Sequence, residues 1–91
     1  MKAWFRVHGR VQGVGFRHFV LREGQALELA GWVRNECDGA VSGEAGGDLS
    51  RLEAFRDRLT QGPGWARVAR VEWSTAEDGG DALPSPFCIR G

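Results

Sequence analysis

The residues best suited to chemistry lie in one glycine-rich segment, GRVQGVGFR, at residues 9–17. Closely spaced glycines allow a turn to aim several backbone N–H groups at one anion. Arg17 follows at the predicted start of a helix, where the helix dipole favours negative charge and opposes a cation. Because a guanidinium binds two phosphate oxygens at once, this placement indicates a phosphate site. The glycine spacing alone is also typical of an ordinary strand-to-helix turn with a solvated arginine.

Other common kinds of catalytic site are not indicated by the sequence. We find no Ser-His-Asp or Cys-His arrangement that would supply a nucleophile for a covalent intermediate. The two cysteines and two histidines lack CxxC and HxxxH spacing, so we expect neither a metal nor a cofactor. Cys37 and Cys88 are interpreted as free thiols, although a bridge between them stays open. His8 is expected on the surface, and His18 needs no role.

The composition limits the classes of partner. Twelve basic and twelve acidic residues give a formal net charge of zero, which argues against nucleic acid as a partner. The chain of 91 residues, 42% of them apolar, predicts one domain over 1–91. No apolar run approaches the ~20 residues of a membrane span, and the start does not resemble a signal peptide. We therefore expect a cytoplasmic protein without a membrane partner, and a monomer.

The first half of the chain predicts a strand, a helix and a strand hairpin. Alternation at residues 3–10 places Ala3, Phe5 and Val7 on one face of a strand. From Phe16 the apolar spacing becomes helical, and Gly31 is predicted to end this helix. The segment WVRNEC then predicts a second strand. Asp38-Gly39 predicts a type I′ turn into a third strand near 40–45.

The second half predicts another helix and two strands. Asp48 or Ser50 is expected to cap a helix, and GPG at 62–64 to stop it. The apolar residues of this helix recur at helical spacing, and they are Leu49, Leu52, Phe55 and Leu59. A fourth strand is predicted in ARVARVEW, with Ala69, Val71 and Trp73 on one face. The segment FCIR predicts a short final strand.

This order of elements, βαββαβ with an extra C-terminal strand, predicts an α+β fold. It is the ferredoxin-like sandwich, in which two helices cover one face of an antiparallel sheet. The four tryptophans are interpreted as core and strand-face packing, and they are Trp4, Trp32, Trp65 and Trp73. Because this fold serves enzymes, RNA binders and sensors, it does not by itself predict a function.

Taken together, two segments resemble the signatures of the acylphosphatase family. GRVQGVGFR at 9–17 matches the first signature, and GWVRNECDG at 31–39 matches the second. Weaker similarity continues in GPGWARV at 62–68 and FCIR at 87–90, so the resemblance covers the whole chain. The chain departs from the family pattern at Glu28, where many members have glycine. It departs again at Gly64, where proline is common.

The resemblance implies metal-independent hydrolysis of acyl phosphates to a carboxylate and inorganic phosphate. The substrate is then a small molecule, with phosphate as product and inhibitor. Asn35, which alone would be a turn residue, is implied to hold the attacking water, since its amide oxygen can orient water. Arg17 is implied to clamp the phosphoryl group. The cradle for that group is implied to be the loop Gln12, Gly13, Val14, Gly15, Phe16 and Arg17.

Other functions remain as alternatives. One is a module of a larger carbamoyl-phosphate-handling maturation protein, although Met1 and the final strand favour a free-standing chain. Another is a phosphate- or carbamoyl-phosphate-binding module without turnover, against which the presence of Arg17 and Asn35 argues. An RNA-recognition domain would need stacking aromatics that AVSGEAG at 40–46 lacks. The sequence indicates no pocket for the acyl group.

Overall fold

The elements follow one another in the predicted order. The computed structural model describes residues 1–13 and 15–90. Within them lie β1 Lys2–Arg10, α1 Phe16–Ala26, β2 Ala30–Asn35, β3 Val41–Gly46, α2 Leu49–Gln61, β4 Arg67–Ala76, a 3-10 turn Gly80–Ala82 and β5 Cys88–Ile89. None of the helices in this part of the chain has the length and apolar character needed to cross a membrane.

The strands form one five-stranded sheet in the order β4-β1-β3-β2-β5. The first four strands pair antiparallel, as predicted. β5 pairs parallel with β2, so the sheet is mixed rather than wholly antiparallel. The ferredoxin-like fold with an extra C-terminal strand is confirmed.

The core lies between the helices and one face of the sheet. Ala3, Phe5 and Val7 of β1 are fully buried there, as their alternation predicts. Phe5 meets Phe55 of α2 edge to face, with ring centroids 5.5 Å apart. Phe87, just before β5, lies 5.8 Å from Phe55 and extends this aromatic group toward the C-terminus. Burial of each such ring contributes roughly 1.5–3 kcal/mol.

The first helix ends earlier than predicted. The Glu28 N–H donates to the Gln25 carbonyl at 3.0 Å, and the Leu29 N–H donates to the Gly24 carbonyl at 2.9 Å. This pair of bonds is the Schellman motif, and Glu28 occupies its left-handed position with φ 55°. Gly31 instead lies within β2, where a Cβ would collide with the Glu44 carbonyl. The prediction that Gly31 ends the helix is therefore wrong.

The second helix has the predicted cap but a smaller buried face. The Asp48 carboxylate accepts from the Arg51 N–H at 2.9 Å, which confirms Asp48 as the cap. Leu52, Phe55 and Leu59 are buried. Leu49, which shares their helical spacing in the sequence, is 51% exposed and does not join the core. It occupies the first position of the helix, at the far end of the packed stripe.

A β-bulge changes the inward face of β4. His8 pairs with Arg70 and Gly9 with Val68, so Ala69 is an extra residue without a partner in β1. Ala69 is exposed, and the prediction that it shares a face with Val71 and Trp73 is wrong. Val68, Val71 and Trp73 pack against the core instead.

Candidate active site

Both signature segments lie at the same end of the sheet. β1 and β2 each pair antiparallel with β3, so they run parallel to one another and end on the same side. The loop after β1 and Asn35 at the end of β2 therefore meet across a cleft of about 190 Å³. The residues lining this cleft are Val11, Gly13, Gly15, Phe16, Arg17, His18 and Asn35.

The loop conformation depends on two glycines. Gly13 and Gly15 have φ values of 74° and 76°, in the left-handed region that other residues rarely adopt. Gly15 directly precedes α1, and its carbonyl accepts the first helical hydrogen bond from the Phe19 N–H at 3.1 Å. The predicted loop residue Val14 lies outside the described residues. The two described glycines turn the chain so that the start of α1 opens into the cleft.

The start of α1 carries partial positive charge without a capping group. Gly15 provides no side-chain oxygen, and the first turn contains no acidic residue. The N–H groups of Phe16, Arg17 and His18 occupy the first turn, where a helix supplies no acceptor for them. These groups and the helix dipole favour an anion at the cleft.

Arg17 adds a full charge at the same place. It is half-buried and lines the cleft. None of the ion pairs formed among the described residues includes it. Its five guanidinium donors are therefore available to an anionic ligand.

Asn35 supplies a buried acceptor on the opposite wall. Its Oδ1 is buried, and within residues 1–13 and 15–90 no group donates a hydrogen bond to it. Leaving such an atom without a partner costs about 1–3 kcal/mol. Asn35 also lines the cleft, and a donor that reached its Oδ1 would recover that energy.

The hairpin after Asn35 fixes its position. The Glu36 N–H donates to the Ala40 carbonyl at 2.8 Å, and the Gly39 N–H donates to the Glu36 carbonyl at 3.3 Å. Gly39 has a positive φ of 95°, whereas Asp38 does not have a positive φ. The turn is thus a three-residue loop ending in a left-handed glycine, and the predicted type I′ turn is wrong.

Asp38 strengthens this turn electrostatically. Its carboxylate accepts from the Ala40 N–H at 3.0 Å and from the Arg6 guanidinium at 2.6 Å. The backbone hydrogen bond, followed by the one from Arg6, lowers the pKa of Asp38. Asp38 is therefore charged at neutral pH and joins the turn to β1.

The side chain of Gln12 links the two segments. Its Nε2 donates to the Glu36 carbonyl at 2.6 Å and to the Ala40 carbonyl at 2.9 Å. Glu36 directly follows Asn35, so Gln12 ties the glycine loop to the hairpin that carries the buried acceptor. The Gln12 side chain therefore braces the site, and it is absent from the lining of the cleft.

The structure brings most of the predicted site residues together. Gly13, Gly15 and Phe16 line the cleft with Arg17 and Asn35. Sequence reasoning missed two further lining residues. Val11 could have been found from its apolar character directly after a strand, and His18 from its place in the first turn of a helix.

The histidines and cysteines take no part in a metal cluster. Within residues 1–13 and 15–90, no three His, Cys, Asp or Glu side chains are grouped to hold a metal ion. His8 is hydrogen-bonded to Glu72 on the open face of the sheet, and this bond is the main cause of the lowered pKa of Glu72. Cys37 and Cys88 are free thiols, the first exposed and the second half-buried.

Comparison with known proteins identifies the family. A family model described as "Acylphosphatase" matches residues 3–88. The chain belongs to the acylphosphatase family. The acylphosphatase of Moorella thermoacetica is 47% identical over 81 residues, which are 89% of this chain and 87% of that relative. The acylphosphatase of Thermococcus kodakarensis is 48% identical over 79 residues, covering 85% of this chain and 87% of that one.

Two solved structures share the fold. The crystal structure of acylphosphatase from Bacillus subtilis aligns with a TM-score of 0.92 at 33% identity, covering 99% of this chain and 98% of that one. The crystal structure of T. kodakarensis HypF aligns at 0.79 and 33% identity, and there the match covers 12% of that chain. As a member of the acylphosphatase family, the chain is a hydrolase that acts on acyl phosphates, which are small molecules.

Proposed function

We propose that the cleft hydrolyses acyl phosphates by direct attack of water on phosphorus. The observation that carries this proposal is the buried Oδ1 of Asn35, which has no donor among the described residues and belongs to a residue that lines the same cleft as Arg17. One wall of the cleft thus offers positive charge and N–H donors, and the other offers an acceptor. A phosphoryl group and a water molecule need these two complementary walls.

The first step is binding of the phosphoryl group. Amides of the 12–17 loop and the first turn of α1 donate to its oxygens, and Arg17 binds two of them together. This gives the loop residues Gln12, Gly13, Val14, Gly15 and Phe16 a backbone role and Arg17 a side-chain role. Gln12 has a second role through its side chain, which holds the hairpin beside Asn35.

The second step is transfer of the phosphoryl group to water. The Asn35 Oδ1 accepts a hydrogen bond from the water and aims its lone pair at phosphorus, opposite the acyl oxygen. The new P–O bond forms as the bond to the acyl oxygen breaks, and that electron pair leaves on the carboxylate. The proton released by water passes to the phosphate product. Since a carboxylate leaves readily, positioning and charge stabilisation account for most of the catalysis.

The proposal extends to the setting of the reaction. Arg17 and the loop amides supply the positive charge that the phosphoryl group needs, so we propose that no metal is required. Inorganic phosphate is then a product that inhibits by occupying the same cradle. We propose a single domain over 1–91 that acts as a monomer in the cytoplasm, in keeping with the free thiols Cys37 and Cys88.

The decisive experiment compares two substrate types in the presence of EDTA. Purified protein is incubated with benzoyl phosphate or with an aryl phosphate monoester, and phosphate release is followed for each. We expect hydrolysis of the acyl phosphate, little action on the monoester, and no effect of the chelator. The control is Arg17→Gln, which keeps the fold and removes the clamp. Equal rates on both substrates, or activity that EDTA abolishes, would contradict the proposed mechanism.

A further inference from the structure

One large aromatic side chain beside the cleft has no function in the steps above. Trp65 is 52% exposed, so the prediction that it packs in the core is wrong. Its ring edge, at Cη2, lies 3.7 Å from the point where a Cβ on Gly15 would stand. Gly15 is itself exposed and lines the cleft, so the indole ring borders the rim of the phosphoryl cradle.

The segment that carries Trp65 is held against the same helix start. In the turn between α2 and β4, the Ala66 N–H donates to the Pro63 carbonyl at 3.1 Å. A Cβ on Gly62 would stand 2.9 Å from Val68 Cγ2 and 3.9 Å from the Phe16 ring. Phe16 is the first residue of α1 and lines the cleft. The turn and the cradle therefore share a packed boundary, which keeps the indole ring at the rim.

The size of the cleft explains why a rim contact matters. Its volume of about 190 Å³ is shared by a phosphoryl group and a water, and its walls are suited to anion binding. With the phosphoryl group held by Arg17 and the start of α1, the acyl group points toward the rim. On the side of Gly15, an exposed apolar surface beside the rim is the Trp65 ring.

We propose that Trp65 binds the acyl group and makes the site selective for acyl phosphates with aromatic or other bulky apolar acyl groups. This inference rests on the proposed function. An aromatic acyl group covers the exposed indole by offset stacking, and an acetyl group is too small to do so. Because the contact persists through the reaction, Trp65 raises substrate affinity without acting on phosphorus.

The test compares two substrates in wild type and Trp65→Ala. For benzoyl phosphate we expect kcat/KM to fall about tenfold in Trp65→Ala, mainly through a higher KM. For acetyl phosphate we expect a change of less than about twofold, and the Ki for inorganic phosphate should stay the same. Trp65→Phe should recover most of the benzoyl phosphate activity, because it restores an aromatic surface.

Leu49→Ala is the matched control. Leu49 is 51% exposed, about as much as Trp65, but it starts α2 near the beginning of β1, whereas the cleft follows the end of β1. This variant should leave both substrates unaffected. If Trp65→Ala slows both substrates equally, or changes neither, Trp65 does not bind the acyl group.

A binding measurement separates this inference from the proposed function. Benzoylphosphonate, whose P–C bond resists hydrolysis, is titrated while tryptophan fluorescence is recorded. We expect a fluorescence change in wild type that is absent in Trp65→Ala, together with weaker inhibition of that variant. If wild type hydrolyses neither acyl phosphate, the proposed function is wrong, and the titration still decides whether Trp65 contacts the analogue. An unchanged fluorescence response in Trp65→Ala would overturn the inference alone.

Discussion

At the start of α2 the Asp48 carboxylate accepts from the Arg51 N–H at 2.9 Å, whereas α1 starts at Gly15, which has no side chain to accept one. Both helices also carry an arginine in the first turn. Arg51 is paired with Asp48 at 3.1 Å, whereas Arg17 takes part in none of the ion pairs among the described residues. The same two features, helix amides and a guanidinium, are satisfied internally in α2 and left open in α1.

The two helices also differ at their C-terminal ends, and there too α2 has the more favourable residue. α2 ends at Gly62, which adopts its positive φ of 65° without a side-chain penalty. α1 is followed by Glu28 at φ 55°, a conformation that suits glycine better. α2 is therefore built for stability at both ends. The start of α1 lacks such stabilising groups and is left available to a ligand. Its other end is strained, and the structure offers no functional reason for that strain.

The largest expected effect comes from Arg17→Lys. Lysine keeps the charge but loses the planar fork that binds two phosphoryl oxygens. We expect kcat/KM to fall about a hundredfold or more, about 2.7 kcal/mol of transition-state stabilisation. Arg51→Lys, the equivalent change in α2, should leave kcat/KM unaltered. Steady-state kinetics on both variants checks this, and near-normal turnover in Arg17→Lys would contradict the clamp.

Phosphate should stabilise the protein through the start of α1. At a hundred times its dissociation constant, phosphate should add about 2.7 kcal/mol to the free energy of unfolding, provided it binds only the native state. Thermal melts in phosphate and in chloride at matched ionic strength measure this effect. It should largely disappear in Arg17→Gln and persist in Arg51→Gln. Persistence in both variants would mean that phosphate binds elsewhere.

Asn35 should affect turnover separately from phosphate binding. Asn35→Ala removes the acceptor for water, so we expect kcat to fall about ten- to a hundredfold. The Ki for phosphate should stay nearly unchanged. Asn35→Asp adds a carboxylate beside a dianion, so it should weaken phosphate binding as well. Paired measurements of kcat and Ki test this division, and equal losses of both in Asn35→Ala would assign Asn35 to the clamp.

Removing the cap of α2 should lower stability without touching activity. We expect Asp48→Ala to lower Tm by about 4–8 °C and to leave kcat/KM unchanged. The hydrogen bond from the Arg51 N–H lowers the pKa of Asp48. Its contribution is therefore present above the usual carboxyl pKa of about 4 and is lost as the pH falls through the lower folded value. Melts of both proteins from pH 7 downward should show the Tm difference shrinking only in acid.

The smallest effect is expected at the end of α1. Glu28→Gly relieves the strain of a side chain at φ 55°, and the greater freedom of glycine in the unfolded chain offsets part of the gain. We expect the free energy of unfolding to rise by roughly 0.5–1 kcal/mol. Urea denaturation measures it, with activity as the control. A loss of stability would show that the Glu28 side chain makes a favourable contribution.

The sequence by itself determined the order of elements and most of the chemistry. Alternation in β1 and helical spacing from Phe16 are local patterns, because a strand repeats every two residues and a helix every 3.6. Asp48 was recognisable as a cap for the same reason, since capping joins residues three apart. Gly13, Gly15, Arg17 and Asn35 were recognisable as site candidates from their types and motifs. β1 and β2 lie on either side of β3 and run parallel to one another. These described residues meet in one cleft because of that topology.

Only the tertiary structure decided what depends on residues far apart in the chain. Glycine inside a helix costs about 1 kcal/mol relative to alanine, but a Cβ on Gly24 of α1 would stand 2.7 Å from the Phe87 ring, so glycine makes room for packing. Ala69 turned outward because the pairing with Gly9 shifts by one residue. Trp65 came to border Gly15, and the Gln12 amide found two carbonyls of a distant hairpin. Local periodicity reports how a segment folds, whereas these positions are set by neighbours that the fold brings from elsewhere.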